Sequence, residues 1–252
     1  MKVKRALSVS DVLNYRPRTM EFEGRWYDSF GCPEIRGCWL IWGSSGSGKT
    51  RFALQLCKYL TKFGRVAYDS LEEGLSATMQ AAFEDEGMLQ AKRKFIFLDR
   101  EPVTVPHFWS AAFKRKVVDY LQRFAFDDKS SRSIAEVLDL LERYKPVKKS
   151  DEITCLIDRL ERRKSPDIIV IDSLQYSTLN MVTTKDLTTS FPNKLFIFIS
   201  HADGQNPAGR SAKSVLYDAD LKLRVVGRAI PEPISRFKRG RCERFEIDTI
   251  KI

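Results

Sequence analysis

The octapeptide Gly43-Ser-Ser-Gly-Ser-Gly-Lys-Thr50 constrains this chain more than any other feature. It satisfies the pattern GxxxxGK[ST], and its neighbours supply the geometry that the pattern needs. Before it runs Cys38-Trp-Leu-Ile-Trp42, a continuous apolar stretch of the kind found in a strand covered on both faces. After it, Phe52, Leu56, Tyr59 and Leu60 recur at helical spacing across Lys49–Lys62. A strand that turns through glycines into a helix aims backbone N–H groups and the positive helix end at one point, which suits a phosphate. Gly43, Ser44, Ser45, Gly46, Ser47, Gly48, Lys49, Thr50 and Arg51 are therefore the expected nucleotide contacts. Within them, Lys49 is expected to bridge the β- and γ-phosphates and the Thr50 hydroxyl to bind Mg²⁺.

The surrounding sequence extends this unit into an α/β sheet. Gly64 ends the helix and Arg65–Ser70 reads as the next strand, which completes a βαβ unit. Leu75–Glu86 follows as a helix, and Lys94–Leu98, Asp167–Asp172 and Lys194–Ser200 as buried strands. Between the third and fourth strands, helices are expected at Phe108–Phe124, Ser133–Tyr144 and Asp151–Lys164, far more than one crossover needs. Residues 100–150 thus read as an inserted helical subdomain. His201–Ser214 reads as a polar loop, and Leu221–Val226 and Arg244–Ile252 as antiparallel strands with one wet face. Residues 1–37 read as a polar lead-in with scattered aromatics, ahead of one domain over 38–252.

Three acidic positions fall where the loop requires them. Asp172 closes the apolar strand Ile168–Ile171 and is expected to hold the metal with Thr50, with Ser173 adjacent. Glu72 and Glu73 follow the strand ending at Ser70, at the same carboxyl edge of the sheet, where a carboxylate can orient a water against the γ-phosphate. Glu72 is the preferred base. Two adjacent glutamates also suit the start of a helix, where the macrodipole favours acid.

Composition bounds the remaining classes. The 252 residues carry 43 Lys and Arg against 33 Asp and Glu, a net charge of +10 that favours a polyanionic partner. Much of the excess lies in Arg228–Arg244 and in the loop after His201. Five cysteines without a CxxC pair argue against zinc and against a disulfide framework. No apolar run reaches the roughly 18 residues of a membrane span, and the first residues lack a signal-peptide stretch, so a cytoplasmic location with no membrane contact is expected.

Taken in series, GSSGSGKT, Tyr68-Asp-Ser-Leu-Glu-Glu73, IIVIDS and Phe198-Ile-Ser-His-Ala202 resemble the RecA-like ATPases, closest to the branch of RadA, KaiC and the DnaB-type helicases. The resemblance spans about 38–250 apart from the insertion. It implies a RecA-like P-loop NTPase core with a mostly parallel central sheet, helices around it and antiparallel strands at the carboxyl end. It also places the catalytic glutamate at Glu72 and a γ-phosphate sensor at His201. It implies a target-contacting loop over Ala202–Ser214 with Arg210 and Lys213. Arg236, with Lys238 second, resembles a finger that reaches the ATP of a neighbouring subunit, although Ser235 and Ile234 depart from the family pattern. The expected activity is ATP hydrolysis with Mg²⁺, coupled to DNA, single-stranded DNA first, in recombination, repair or replication by a ring or filament of identical subunits. The alternatives are a KaiC-like regulator acting on a protein partner docked at the helical insertion, and a ring helicase motor.

Overall fold

The structure, a computed structural model, describes residues 6–103 and 155–248. Two units separate: Met1–Glu101 with Arg163–Ile252, and Pro102–Arg162. In the second unit one short helix spans Leu156–Leu160, and the Leu156 N–H donates to the Pro102 carbonyl at 2.9 Å. The expected helices Phe108–Phe124 and Ser133–Tyr144, and most of the 100–150 insertion, lie outside the described residues.

In the first unit, strands β1 (Gly37–Gly43), β2 (Val66–Ser70), β3 (Phe95–Asp99), β4 (Ile168–Asp172), β5 (Leu195–Asp203), β7 (Leu221–Val225) and β9 (Ile234–Ser235) form a sheet in the order β3-β2-β4-β5-β1-β7-β9. All neighbours are parallel except β9, which runs antiparallel to β7. Every residue of β2 and β4 is buried, the polar Asp69, Ser70 and Asp172 at their carboxyl ends included. Helices α3 (Lys49–Leu60), α4 (Ala77–Asp85), α6 (Met181–Ser190) and α7 (Gly209–Asp218) connect the strands; α5 denotes the helix of the second unit. The result is the α/β architecture expected from the sequence, with a mostly parallel central sheet and antiparallel strands toward the carboxyl end.

Three expectations are corrected. Leu221–Val225 alternates in burial as anticipated, yet it pairs parallel to β1, from Trp39 opposite Leu221 to Gly43 opposite Val225. Among the described residues, antiparallel pairing of strands is confined to β9, to the short β6 (Asn206–Pro207) against β5, and to β8 (Ala229–Ile230) against β10 (Phe245–Glu246), beside isolated antiparallel bridges at Thr19–Glu34 and Val226–Ala229. The loop expected over His201–Ser214 is instead ordered. Strand β5 continues to Asp203, turns at Gly204 with φ +62°, returns as β6 and enters α7.

Residues 1–37 are more than a lead-in. Short helices α1 (Val9–Leu13) and α2 (Arg25–Phe30) precede β1, and Phe22, Trp26 and Phe30 are buried in the main core. Trp26 stacks on Tyr59 of α3 at 4.6 Å between ring centroids, and Phe30 stacks on Phe245 at 5.2 Å. Trp26 and Phe30 also pack against Phe52 of α3, and Phe22 against Trp39 of β1, so the amino-terminal segment helps to hold the helix that follows the Gly43–Thr50 loop. No described helix is long and apolar enough to cross a membrane.

Candidate active site

Strand order places the expected chemistry along one sheet edge. Strand β5 lies between β1 and β4, and β2 lies on the far side of β4, so the carboxyl ends of four adjacent strands deliver Gly43, His201, Asp172 and the Leu71–Glu73 turn. Register completes the alignment: Gly43 is opposite His201, and Ser70 is opposite Asp172.

The Gly43–Thr50 loop is shaped by contacts that exclude side chains. A Cβ on Gly43 would lie 2.5 Å from the Val225 carbonyl oxygen and 2.7 Å from Ser47 Oγ, so only glycine fits beneath the loop. Gly48 adopts φ +97° as the cap from which α3 starts, and the first amides of that helix have no intrahelical acceptor. Ser47 Oγ is buried and has no hydrogen-bond partner. Lys49 Nζ donates to the Ser44 carbonyl at 2.8 Å, folded back across its own loop. Burial lowers the Lys49 pKa, while Asp172 and Glu72 pull it upward. A cavity of about 250 Å³ opens beside the loop, walled by Gly43–Ser47 on one side and by Ala202, Gly204 and Arg224–Gly227 on the other.

Asp172 is buried and its carboxylate accepts a hydrogen bond from the Tyr68 hydroxyl. Burial raises its pKa to about 6; the Tyr68 bond opposes the rise and the nearby Glu72 adds to it. Its backbone carbonyl accepts from the Leu71 and Glu72 N–H groups at 2.6 and 3.1 Å, which ties the turn after β2 to the end of β4. Glu72 Oε2 then lies 3.0 Å from His201 Nε2, with both side chains about one-third exposed. The two residues expected to act on the γ-phosphate are brought together. Glu73 is used differently: its carboxylate accepts from Ser76 Oγ at 2.7 Å and from Thr78 Oγ1, which fixes the start of α4.

His201 is clamped from behind. Gln175 Oε1 accepts from its backbone N–H at 3.4 Å, and the His201 carbonyl accepts from the Ala208 N–H at 2.8 Å. Gln175 Nε2 donates to Ser200 Oγ at 2.8 Å and to the Ala208 carbonyl at 3.0 Å. Two residues after Ala208, α7 presents Arg210 and then Lys213, both exposed.

Other expected residues are not gathered here. Arg51 pairs with Asp85 at 2.9 Å and Glu86 at 3.2 Å, on the side of α3 that meets α4, so it braces that helix rather than reaching the loop. Arg236 Nη1 pairs with Asp220 Oδ1 at 3.0 Å within the same chain. It follows Ser235, whose partner Leu221 is in register with Trp39, four residues or about 13 Å along β1 from Gly43. Arg236 therefore sits toward the amino ends of the parallel strands, away from this chain's own loop. Lys238 donates to the Asp28 carbonyl and lies over the Tyr27 ring.

Tyr68, Gln175 and the Arg224–Gly227 wall escaped the sequence reading. Strand alternation offered a signal for Tyr68, because it shares a sheet face with Asp172 on the neighbouring strand. Gln175 offered only its place three residues after Asp172, and the cavity wall offered none, since it depends on β7 pairing parallel to β1.

The donor set suits a nucleotide with Mg²⁺. Among the described residues no group of three or more His, Cys, Asp and Glu side chains is arranged to hold a metal by itself. Mg²⁺ beside phosphates needs only one or two protein oxygens, and the Thr50 hydroxyl with Asp172 would be the ones to hold it. A glycine loop thus joins a buried parallel strand to a helix, with a buried aspartate two strands away. Among solved structures the chain is similar to a KaiC-like protein from the hyperthermophilic archaeon Pyrococcus horikoshii, at 14% identity over 83% of this chain and 80% of that one, with a TM-score of 0.45. It is similar also to the flagellar accessory protein FlaH from Methanocaldococcus jannaschii, at 14% identity over 83% and 80%, with a TM-score of 0.42. No family model and no curated protein matches the sequence.

Proposed function

We propose that this chain is an ATPase that binds ATP with Mg²⁺ through its glycine loop and hydrolyses it. The observation that carries this reading is the meeting of Glu72 and His201 at 3.0 Å, across 129 residues of sequence, on the edge that also presents Asp172 and the loop. The loop amides and Lys49 hold the phosphates, and Thr50 with Asp172 hold Mg²⁺, which supplies charge neutralisation at the phosphate oxygens when bound. Glu72 orients and deprotonates the attacking water, and His201 reads whether a γ-phosphate is present. The test is ATP turnover by purified protein. Lys49→Ala is expected to abolish nucleotide binding, and Glu72→Gln to retain ATP without hydrolysing it. Hydrolysis by Glu72→Gln at the original rate overturns the assignment of the base.

A second reading concerns the target. The backbone clamp from Gln175 and His201 to Ala208 supports coupling of nucleotide state to α7, whose exposed Arg210 and Lys213 suit the phosphates of DNA, single-stranded DNA first. Recombination, repair or replication by a homo-oligomeric ring or filament remains the biological setting of that reading, with Arg236 acting in trans after release from Asp220. A regulator that acts on a protein partner through the inserted unit, or a helicase motor, is the competing outcome. Side-by-side measurement of ATPase stimulation by single-stranded DNA, double-stranded DNA and RNA separates them: no stimulation by any polymer, with no binding in any nucleotide state, removes the nucleic-acid reading.

A further inference from the structure

Tyr68 has no part in the hydrolysis scheme above, yet it is wholly buried in β2 with its hydroxyl spent on the carboxylate of Asp172. Its ring has little freedom. It lies parallel to Phe97 at 6.2 Å and 12°, and tilted against Phe95 at 6.5 Å. A phenol held in this way fixes the position of its hydroxyl. Carboxylate rotation about the last side-chain bond is otherwise broad, so the oxygen that a free aspartate offers to a ligand is not set by its own torsions. The turn that follows β2 grips Asp172 a second time, because the N–H groups of Leu71 and Glu72 donate to its backbone carbonyl. Side chain and main chain of one aspartate are thus held by the neighbouring strand and the turn that follows it.

We propose that Tyr68 is a positioning residue for the metal-holding carboxylate: it fixes one oxygen of Asp172 and so presents the other to the Mg²⁺ of a bound nucleotide. The inference rests on the ATPase reading and adds to it a residue that touches neither nucleotide nor metal. Outer-shell partners of metal ligands carry about 10- to 100-fold in metal affinity when removed, although they make no bond to the ion.

The experiment is binding of a fluorescent, non-hydrolysable ATP analogue to wild type and Tyr68→Phe, first in EDTA and then with increasing Mg²⁺. In EDTA the two proteins are expected to bind alike, within about twofold, since Tyr68 does not reach the phosphate loop. The Mg²⁺ concentration that half-saturates the tightening is expected to rise about tenfold in Tyr68→Phe. In an Asp172→Asn background the same substitution is expected to add no further change. Coincident Mg²⁺ curves, or a full tenfold effect that persists without Asp172, overturn the proposal while leaving the ATPase reading intact. Failure of the wild type to bind the analogue overturns both. Should Tyr68→Phe not fold, Phe97→Leu keeps the hydroxyl but loosens the ring. A rise of a few-fold in the required Mg²⁺ is then expected, and an unchanged curve overturns the proposal.

Discussion

Glu72 Oε2 and His201 Nε2 face each other at 3.0 Å, joining the turn after β2 to the end of β5 across the intervening β4. On the proposed function the base, Glu72, is paired with the sensor, His201, and a γ-phosphate that engaged His201 would free the carboxylate for water. Two residues that act as one unit lose their effects together rather than separately. Glu72→Gln is expected to lower turnover about 100-fold or more, His201→Ala to lower it as well, and the double variant to fall little below Glu72→Gln. Steady-state hydrolysis at saturating ATP checks this; losses that multiply show independent roles.

Asp172 carries a stability cost that its proposed role as a metal ligand would explain. Its folded pKa of about 6 stands above the 3.8 of a free aspartate, mainly through burial, so the folded state holds a proton more tightly than the unfolded one. Stability therefore falls as pH rises from about 4 to 6, and the cost stays complete above that window. In metal-free buffer Asp172→Asn is expected to stabilise the protein at pH 8 by about 2–3 kcal/mol, the size of a two-unit shift, with the gain vanishing near pH 4. Urea unfolding across this pH range measures it, and a gain independent of pH contradicts the assignment.

Trp26 ties the amino-terminal segment to the helix that bears the phosphate loop. It is 7% exposed and packs against Tyr59, Phe52 and Phe245. Trp26→Ala is expected to cost roughly 3–5 kcal/mol, whereas truncation of the neighbouring Tyr27, 48% exposed, is expected to cost less than about 1 kcal/mol. Denaturant midpoints of the two variants decide whether residues 1–37 are structural or dispensable.

For the DNA reading, Arg210 and Lys213 make a quantitative test. If both contact phosphates, replacing the pair by alanine reduces the slope of log affinity against log salt by about 2 and weakens binding to all sequences alike. Fluorescence anisotropy on a labelled oligonucleotide, with and without an ATP analogue, gives the slope. An unchanged slope moves any nucleic-acid contact elsewhere on the chain.

What the sequence disclosed and what it concealed follow from how local each signal is. The phosphate loop, Asp172 and the buried strands are contiguous, so a few residues of each report their structure. The pairing direction of Leu221–Val225 is not local: alternation records that one face of β7 is half-exposed, and a parallel strand beside a short final strand alternates in the same way. Helix α6 went unread because Val182, Thr183, Thr184, Thr188 and Thr189 are poor helix formers, although Asn180 caps it through the Val182 and Thr183 amides. Helix α7 was hidden behind Gly209, whose φ of +82° makes the segment look like a turn. Phe22, Trp26 and Phe30 fall four residues apart, but only Trp26 and Phe30 lie on a helix, and at six residues it is too short for that spacing to stand out as a helical face among the neighbouring aromatics.

Trp42 precedes Gly43, the last residue of β1, and its indole N–H donates to the Gln205 carbonyl at 3.0 Å, in the turn that links β5 to β6. That bond makes the residue an intrinsic optical probe. Indole emission is sensitive to its hydrogen-bond partner, so movement of the turn when the neighbouring cavity fills changes the spectrum without any label. Subtracting the signal of Trp42→Phe isolates this change from the other tryptophans, and stopped-flow recording would then time the response of the cavity wall to a ligand.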